Sequence, residues 1–316
     1  MKKSMPQMLS SADKLYNQGE IESALEKYQT VLAQGKPDAG LYQKIAHCNK
    51  ILGEFEEARD YYEKSLELDA DNLETRFNYA ESLAELGEHD EAIEAFDQVI
   101  KRAAVTGGDI GAIAEARKKK SNSVLLNRAG GALLKQGDLD GAYEIFIKAV
   151  DLDPGDRRNY LNIGVIFINR GDLSAAIEWM GKALEVDPGY IRGYYNLGTL
   201  HLKAGYFRRA IDIFNHALHI EPGHPDCDDI VTNLNNAQDQ LESAEAELLS
   251  RLRGDQPNVD LDELRNLANA VFAEQIEAVD VAITQTGNTR MIAHAANGHY
   301  EALLDEGELV TRKMPG

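Results

Sequence analysis

A glycine recurs every 34 residues through the first two thirds of this 316-residue chain. The series is Gly19, Gly53, Gly87, Gly137, Gly171 and Gly205, and its one irregular step of 50 equals one period plus 16 inserted residues. An alanine lies five residues after each glycine, another small residue seven before it, and a large residue nine after it. A repeat of this length predicts stacked copies of one small helical unit rather than an ordinary globular domain.

Each repeated position has a physical reason, and together they predict two helices per repeat. The glycine can take the left-handed conformation that ends the first helix. Small residues, such as Ala46 and Ala58, belong where the paired helices cross closely, and a large one, such as Tyr62, fills the space they leave. Pro188 and Pro222, again 34 residues apart, stop the second helix of repeats five and six.

This combination resembles the tetratricopeptide repeat (TPR) family. The resemblance covers residues 5–224 and is nearly complete in repeats four to six, for example in Tyr194–Gly198 followed by Ala210 and Phe214. It implies an all-α fold, a right-handed α-α solenoid of six TPR units. In this family the first helix of each repeat lines a concave groove, so the resemblance implies a non-enzymatic adaptor that holds a peptide segment of another protein.

Beyond the repeats, the apolar spacing predicts further helices. The insertion is expected to extend the first helix of repeat four backwards. In residues 225–253, apolar residues recur at steps of three and four, which predicts one amphipathic helix that caps the array. Helices over 261–285 and about 289–304 are expected in a helical tail, which must dock on the array, on another copy or on a partner. We assign residues 5–106 to repeats one to three, 107–122 to the insertion, 123–224 to repeats four to six, 225–253 to the capping helix and 254–316 to the tail.

Charge and motifs exclude several function classes. The formal net charge of −20 argues against nucleic acid and anionic membranes as partners. Two distant cysteines make no disulfide framework, and no signal peptide or membrane span is visible, so we interpret the protein as cytoplasmic. The sequence contains no GxxxxGK, GxGxxG, HExxH or GxSxG motif, and we predict no catalytic residue and no cofactor.

The sixth position of each first helix is polar. It reads Ser10, Lys44, Asn78, Arg128, Asn162 and Asn196 in the six repeats. Stacked asparagines resemble the ladder by which some TPR relatives hold an extended peptide, because an amide side chain can donate to a backbone carbonyl and accept from a backbone N–H. Alternatively, asparagine here simply belongs to the general family pattern.

Charge is distributed unevenly along the chain. Residues 123–224 carry 11 Lys or Arg against 12 Asp or Glu, whereas the rest carries 22 against 41. A partly basic and partly apolar groove suits an acidic or carboxyl-terminated segment, unless the cations pair with acids of neighbouring repeats. The residues predicted to line the groove are Asn78, Arg128, Lys135, Arg158, Leu161, Asn162, Arg192, Tyr195, Asn196 and Lys203.

Two alternatives stay open. In the first, the protein is a self-assembling scaffold whose tail or N-terminus docks into the groove of a neighbouring copy. In the second, His216, His219, His224 and Cys227, which are metal-ligand residue types, hold a metal ion. We interpret these four as exposed histidines and a packed cysteine, and predict no metal site. The repeats also lack the pattern by which some relatives clamp a chaperone's terminal carboxylate.

Overall fold

Antiparallel helix pairs follow one another with the period of the glycines. The computed structural model describes residues 5–35, 37–253, 260–272, 276–283, 289–305 and 308–314. The chain divides into two compact units, Met1–Pro154 and Gly155–Gly316. The described residues of both units are predominantly helical, which confirms the predicted repeat architecture.

The first unit contains the helices of repeats one to four. Chain neighbours pack as pairs, α1 with α2, α3 with α4, α5 with α6 and α7 with α8. Its described helices are α1 (Met5–Asn17), α2 (Ile21–Leu32), α3 (Ala39–Leu52), α4 (Phe55–Leu68), α5 (Leu73–Glu85), α6 (His89–Thr106), α7 (Ile110–Gln136) and α8 (Leu139–Leu152).

The small and large positions pack as the sequence predicts. Gly53 and Gly137 follow α3 and α7 with φ of 83° and 82°, the left-handed conformation that ends a helix. A Cβ added to Gly130 would lie 2.9 Å from the Phe146 ring, which is fully buried. The Phe146 ring can therefore occupy the space between the paired helices only because Gly130 has no side chain.

The insertion forms the beginning of α7, which continues without a break into the first helix of repeat four. Arg117 of its basic run lies 2.9 Å from a carboxylate oxygen of Glu81, and Lys118 lies 2.7 Å from one of Asp97. Two of the four cations in this run are therefore paired with acids of the preceding repeat.

The second unit contains repeats five and six, the capping helix and the tail. Its described helices are α9 (Arg157–Asn169), α10 (Leu173–Val186), α11 (Ile191–Lys203), α12 (Phe207–Ile220), α13 (Cys227–Arg253) and α14 (Leu261–Val271). Helix α13 occupies the segment expected to cap the array, and its Ile230, Leu234 and Ala237 share one core with Phe214 and Ala217 of α12.

The tail departs from the sequence expectation after Val271. The helix predicted over 261–285 ends there as α14, and the second helix expected over about 289–304 does not form. Four strands occur instead, and they pair antiparallel in chain order. The strands are β1 (Ile276–Ile283), β2 (Thr289–Ala295), β3 (Gly298–Asp305) and β4 (Glu308–Lys313).

Hairpin pairing explains why the helical prediction for these residues is wrong. Val279 lies opposite Ala293, and Ala293 lies opposite Tyr300, so alternate residues of successive strands meet on one buried face. Apolar residues at steps of three fit a helix equally well when the chain is considered alone. The β-branched residues of β1 favour the strand, and the neighbouring strands satisfy its backbone groups.

The described part of the tail docks on the capping helix of its own chain. Ala244 and Leu248 on α13 share a core with Leu264 of α14 and with Met291 and Ala302 of the sheet. The first half of α13 therefore closes repeat six, whereas its second half supports the tail. No helix in the described residues has both the length and the apolar character needed to cross a membrane.

Candidate peptide-binding site

The ten residues predicted to line a groove divide between the two units. In the first unit, Asn78 lies on α5, and Arg128 and Lys135 lie on α7. The other seven lie in the second unit: Arg158, Leu161 and Asn162 on α9, and Arg192, Tyr195, Asn196 and Lys203 on α11.

Asn78 is committed to contacts inside the first unit. Its Oδ1 accepts a hydrogen bond of 2.7 Å from Lys50 Nζ, and its Nδ2 lies 3.2 Å from His47 Nε2 and donates to the Glu74 carbonyl at 2.9 Å. Burial lowers the pKa of His47, which favours the neutral imidazole. Asn78 thus links α5 to Lys50 and His47 of α3, and its remaining bond is to the backbone of its own helix.

Arg128 and Lys135 are exposed cations on the first unit. The Nη2 atom of Arg128 would lie 3.4 Å from a Cβ added to Gly87, which places the guanidinium at the end of α5. Neither cation forms an ion pair with any residue that the structure describes. Their charge is therefore open to an acidic ligand.

Arg158 is held by the residue that caps α9. Asp156 accepts hydrogen bonds from the backbone N–H of Arg158 at 3.0 Å and from its guanidinium at 2.9 and 2.7 Å. Burial raises the pKa of Asp156, but the hydrogen bonds from Arg158 outweigh it and keep the pKa below its usual value. The charge of Arg158 is therefore largely neutralised within its own repeat.

Arg192 and Lys203 are the more available cations of the second unit. Arg192 is 65% exposed, and its Nε lies 3.7 Å from Asp226 Oδ2, a loose pair. Lys203 is exposed and has no ion pair among the described residues. The eleven-residue separation places them about 16 Å apart along α11, on either side of Tyr195 and Asn196.

Asn162 and Asn196 occupy equivalent positions of repeats five and six. Both side chains are partly exposed, and neither forms a hydrogen bond with a described residue. Helices α9 and α11 contribute to one core, in which Leu161 packs with Leu197 and Leu200. The second unit therefore presents two uncommitted amides, in contrast to Asn78 of the first unit.

Two further features were not predicted from the sequence. In the second unit, the Arg157 guanidinium lies 4.3 Å from the centre of the Tyr190 ring and pairs with Asp187 at 2.5 Å. A cavity of about 450 Å³ lies beside it, lined by Gly155, Asp156, Arg157, Arg158, Val186 and Asp187. Only the spacing of Arg157 and Asp187 by nearly one repeat could have suggested this pair.

The second feature that was not predicted is a pocket of about 420 Å³ in the first unit. Asp13 Oδ1 accepts hydrogen bonds of 2.6 Å from both Tyr28 and Lys44. Burial raises the pKa of Asp13, but the bonds from Lys44 and Tyr28 outweigh it and lower the pKa overall. The Lys44 charge is thus balanced at the sixth position of repeat two. The pocket is lined by Asp13, Tyr16, Asn17, Tyr28, Gln43, Lys44 and His47.

Two of the three histidines considered as metal ligands, His216 and His224, take part in packing and capping. The His216 ring packs edge-on against Tyr194 with centroids 4.9 Å apart, and His224 Nδ1 accepts from the Asp226 N–H at 3.1 Å. Cys227 Sγ donates to the Glu221 carbonyl at 3.5 Å. Among the described residues, no group of three or more histidine, cysteine or carboxylate side chains is arranged to hold a metal ion.

Comparisons with known proteins agree on the type of repeat. A family model described as tetratricopeptide repeat matches residues 51–107 and 133–197, and a second model of the same description matches 191–224. No curated protein has a sequence that matches the chain.

Several solved structures are similar to the chain. The TPR domain of P58(IPK) is 18% identical, with 84% of this chain and 72% of that chain covered and a TM-score of 0.43. The TPR2AB domain of yeast Sti1, in a pHSP90 complex, is 17% identical, with 74% and 98% covered and a TM-score of 0.36. MamA 41-end from Desulfovibrio magneticus RS-1 is 25% identical, with 59% and 97% covered and a TM-score of 0.34.

Proposed function

The chain is a tetratricopeptide repeat protein, and on that premise we propose that it is a non-enzymatic adaptor that binds a peptide segment of another protein on repeats five and six. One observation carries the proposal: Asn162 and Asn196 are partly exposed amides at equivalent positions that form no hydrogen bond with described residues. An amide with free donor and acceptor atoms can bind the backbone of any extended segment.

The spacing of the two amides suits an extended ligand. Helices α9 and α11 border one core, and the axes of helices packed side by side lie about 8–10 Å apart. An extended chain advances about 3.3 Å per residue, so the two amides would meet backbone groups roughly three residues apart. Leu161 and Tyr195, which directly precede the two asparagines, would supply apolar contact area for the intervening side chains.

The cations favour an acidic or carboxyl-terminated segment. Arg192 and Lys203 lie at the two ends of α11, and neither is tightly paired within the described residues. Charges act over about 8 Å at physiological ionic strength, so these two matter more to a ligand on α11 than the distant acids of the chain. Arg158 contributes less, because Asp156 already binds its guanidinium.

The proposal is tested with a library of immobilised decapeptides that have free carboxyl termini and vary in net charge. The full chain is expected to bind acidic peptides best. Replacing both asparagines, Asn162→Ala with Asn196→Ala, should weaken binding to all peptides at least tenfold, since about 1–2 kcal/mol is lost with each amide. The matched control is Asn215→Ala, an exposed asparagine on the second helix of repeat six.

A second pair of variants separates charge from backbone recognition. Arg192→Gln with Lys203→Gln should reduce the preference for acidic peptides and flatten the salt dependence of binding, while the weaker binding of neutral peptides persists. Binding that is unchanged in both double variants would place the ligand elsewhere and overturn the proposal.

The self-assembling alternative is less well supported, because the apolar side of α14 is not free. Leu264, Ala268 and Val271 are buried against the capping helix and sheet of the same chain. Light scattering coupled to size-exclusion chromatography over a hundredfold range of concentration distinguishes the two functions. A concentration-dependent oligomer would favour the scaffold.

A further inference from the structure

Two histidines lie next to each other on adjacent strands of the C-terminal sheet. His294 of β2 and His299 of β3 are directly opposite in the register of the antiparallel pair. Opposed residues on neighbouring strands have Cβ atoms about 5 Å apart, within reach of a shared ligand. The Nδ1 atoms of the two rings lie 2.9 Å apart, and the rings meet nearly at right angles, at 78°.

A carboxylate on β1, the neighbouring strand on the other side of β2, orients one of these rings. Asp280 Oδ2 on β1 lies 2.9 Å from Nε2 of His294. With a proton on Nε2 directed at this carboxylate, the lone pair of His294 Nδ1 points towards His299. A carboxylate behind a histidine in this way fixes the tautomer and increases the basicity of the opposite nitrogen, as it does behind metal-binding histidines.

We propose that His294 and His299 bind one divalent transition-metal ion of the Zn²⁺, Ni²⁺ or Cu²⁺ class through their Nδ1 atoms. Imidazole nitrogen suits these three ions. Zinc–nitrogen bonds of about 2.0–2.1 Å at a tetrahedral angle separate the two nitrogens by about 3.3 Å. The two nitrogens would need to separate by only about 0.4 Å from their present 2.9 Å, and both rings would need to turn so that each Nδ1 lone pair points at the ion.

The surroundings admit a cation. His294 is 31% exposed and His299 is exposed, so the remaining coordination positions are open to water or to a ligand from a binding partner. On this face the buried Glu301 pairs with both Arg290 and Arg312, and Asp280 contacts His294. With two protein ligands, this is an open site rather than a closed structural one.

The test is a titration of the full chain, first stripped of metal with a chelator, with Zn²⁺ and with Ni²⁺ by isothermal calorimetry. One ion should bind per chain. His294→Gln and His299→Gln should each weaken binding at least tenfold, and Asp280→Asn, which removes only the orienting carboxylate, should weaken it about 10–100-fold. Affinity should also fall as the solution is acidified, because protons compete for the imidazoles.

The chain provides a matched control in its other histidines. His216→Gln with His219→Gln, two exposed histidines on α12, should leave the affinity and stoichiometry unchanged. In histidine-selective NMR spectra, metal should shift the ring signals of His294 and His299 and leave those of the other six in place. Absence of binding, or binding that survives His299→Gln and is lost in the α12 variant, would overturn the proposal.

Discussion

Arg208 at the start of α12 donates a hydrogen bond from Nε to the carbonyl oxygen of Val271, the last residue of α14, 63 positions along the chain. The same guanidinium donates from Nη2 to Glu245 of α13 at 2.7 Å. One side chain of repeat six therefore holds both the capping helix and the end of the tail helix, where a carbonyl would otherwise lack a helical partner.

Replacing this arginine should loosen the tail. Arg208→Met keeps most of the aliphatic side chain but removes both hydrogen bonds, and we expect a loss of about 1 kcal/mol, because the group is partly exposed. Hydrogen exchange in α14 should become faster while exchange in α11 is unchanged. Lys203→Met, which removes a cation without a described partner, should leave both rates as they are.

The same substitution should have opposite effects at two glycines in mid-helix. A Cβ at Gly198 of α11 would lie 2.5 Å from the Phe214 ring, so Gly198→Ala should cost about 1–3 kcal/mol through overpacking. At Gly181 of α10 nothing lies within 4 Å, so Gly181→Ala should stabilise the protein by about 0.5–1 kcal/mol. Urea unfolding measures both, and equal effects would contradict the assigned packing.

Buried His201 should make stability depend on pH. Burial lowers its pKa to about 4, and the charge of Arg209 adds to this shift. The unfolded chain takes up the proton near pH 6.5, so it binds more protons than the folded state between these values, and stability is lost as pH falls from about 6.5 to 4. We expect His201 to contribute roughly 2–3 kcal/mol of the loss between pH 7 and pH 4.5.

The variant His201→Phe tests this expectation, because it fills the space and cannot be protonated. We expect the free energy of unfolding, measured with urea at pH 7 and at pH 4.5, to differ less between the two pH values in His201→Phe than in the original chain, by about the amount assigned to His201. His219→Gln, at an exposed position of α12, is the control and should leave the pH dependence unchanged. If His201→Phe loses as much stability between pH 7 and pH 4.5 as the original chain does, other groups are responsible for the loss.

Removing the tail should expose the second half of the capping helix. Leu248 is fully buried beneath the tail, and Ala244 is nearly so. A chain that ends at Arg253 should retain its helical repeats but associate with itself, because apolar area would be left in water. Size-exclusion chromatography should show oligomers, and adding Leu248→Lys to the shortened chain should restore the monomer. A shortened chain that stays monomeric without that change would contradict the observed docking.

The repeats could be predicted from the sequence because their folding depends on local and periodic requirements. A left-handed residue such as Gly53, a close crossing such as that at Gly130 and a filling ring such as Phe146 recur at a set spacing, and each has one good structural solution. Helix hydrogen bonds form within the segment itself, so periodicity alone indicates the element. The helical part of the tail, Leu261–Val271, could be predicted for the same reason.

The strands and the state of the candidate site depend on contacts between distant parts of the folded chain. The backbone hydrogen-bond partners of β1 lie in β2. The conformation of β1 therefore depends on a strand pairing that cannot be inferred from the spacing of apolar residues along the chain. In the same way, equivalent asparagines differ because of their neighbours: Lys50 and His47 engage Asn78, whereas no described side chain engages Asn162. The sequence thus determined the repeats and the positions of the polar residues, and side-chain contacts between helices decided which of those residues remain available to a ligand.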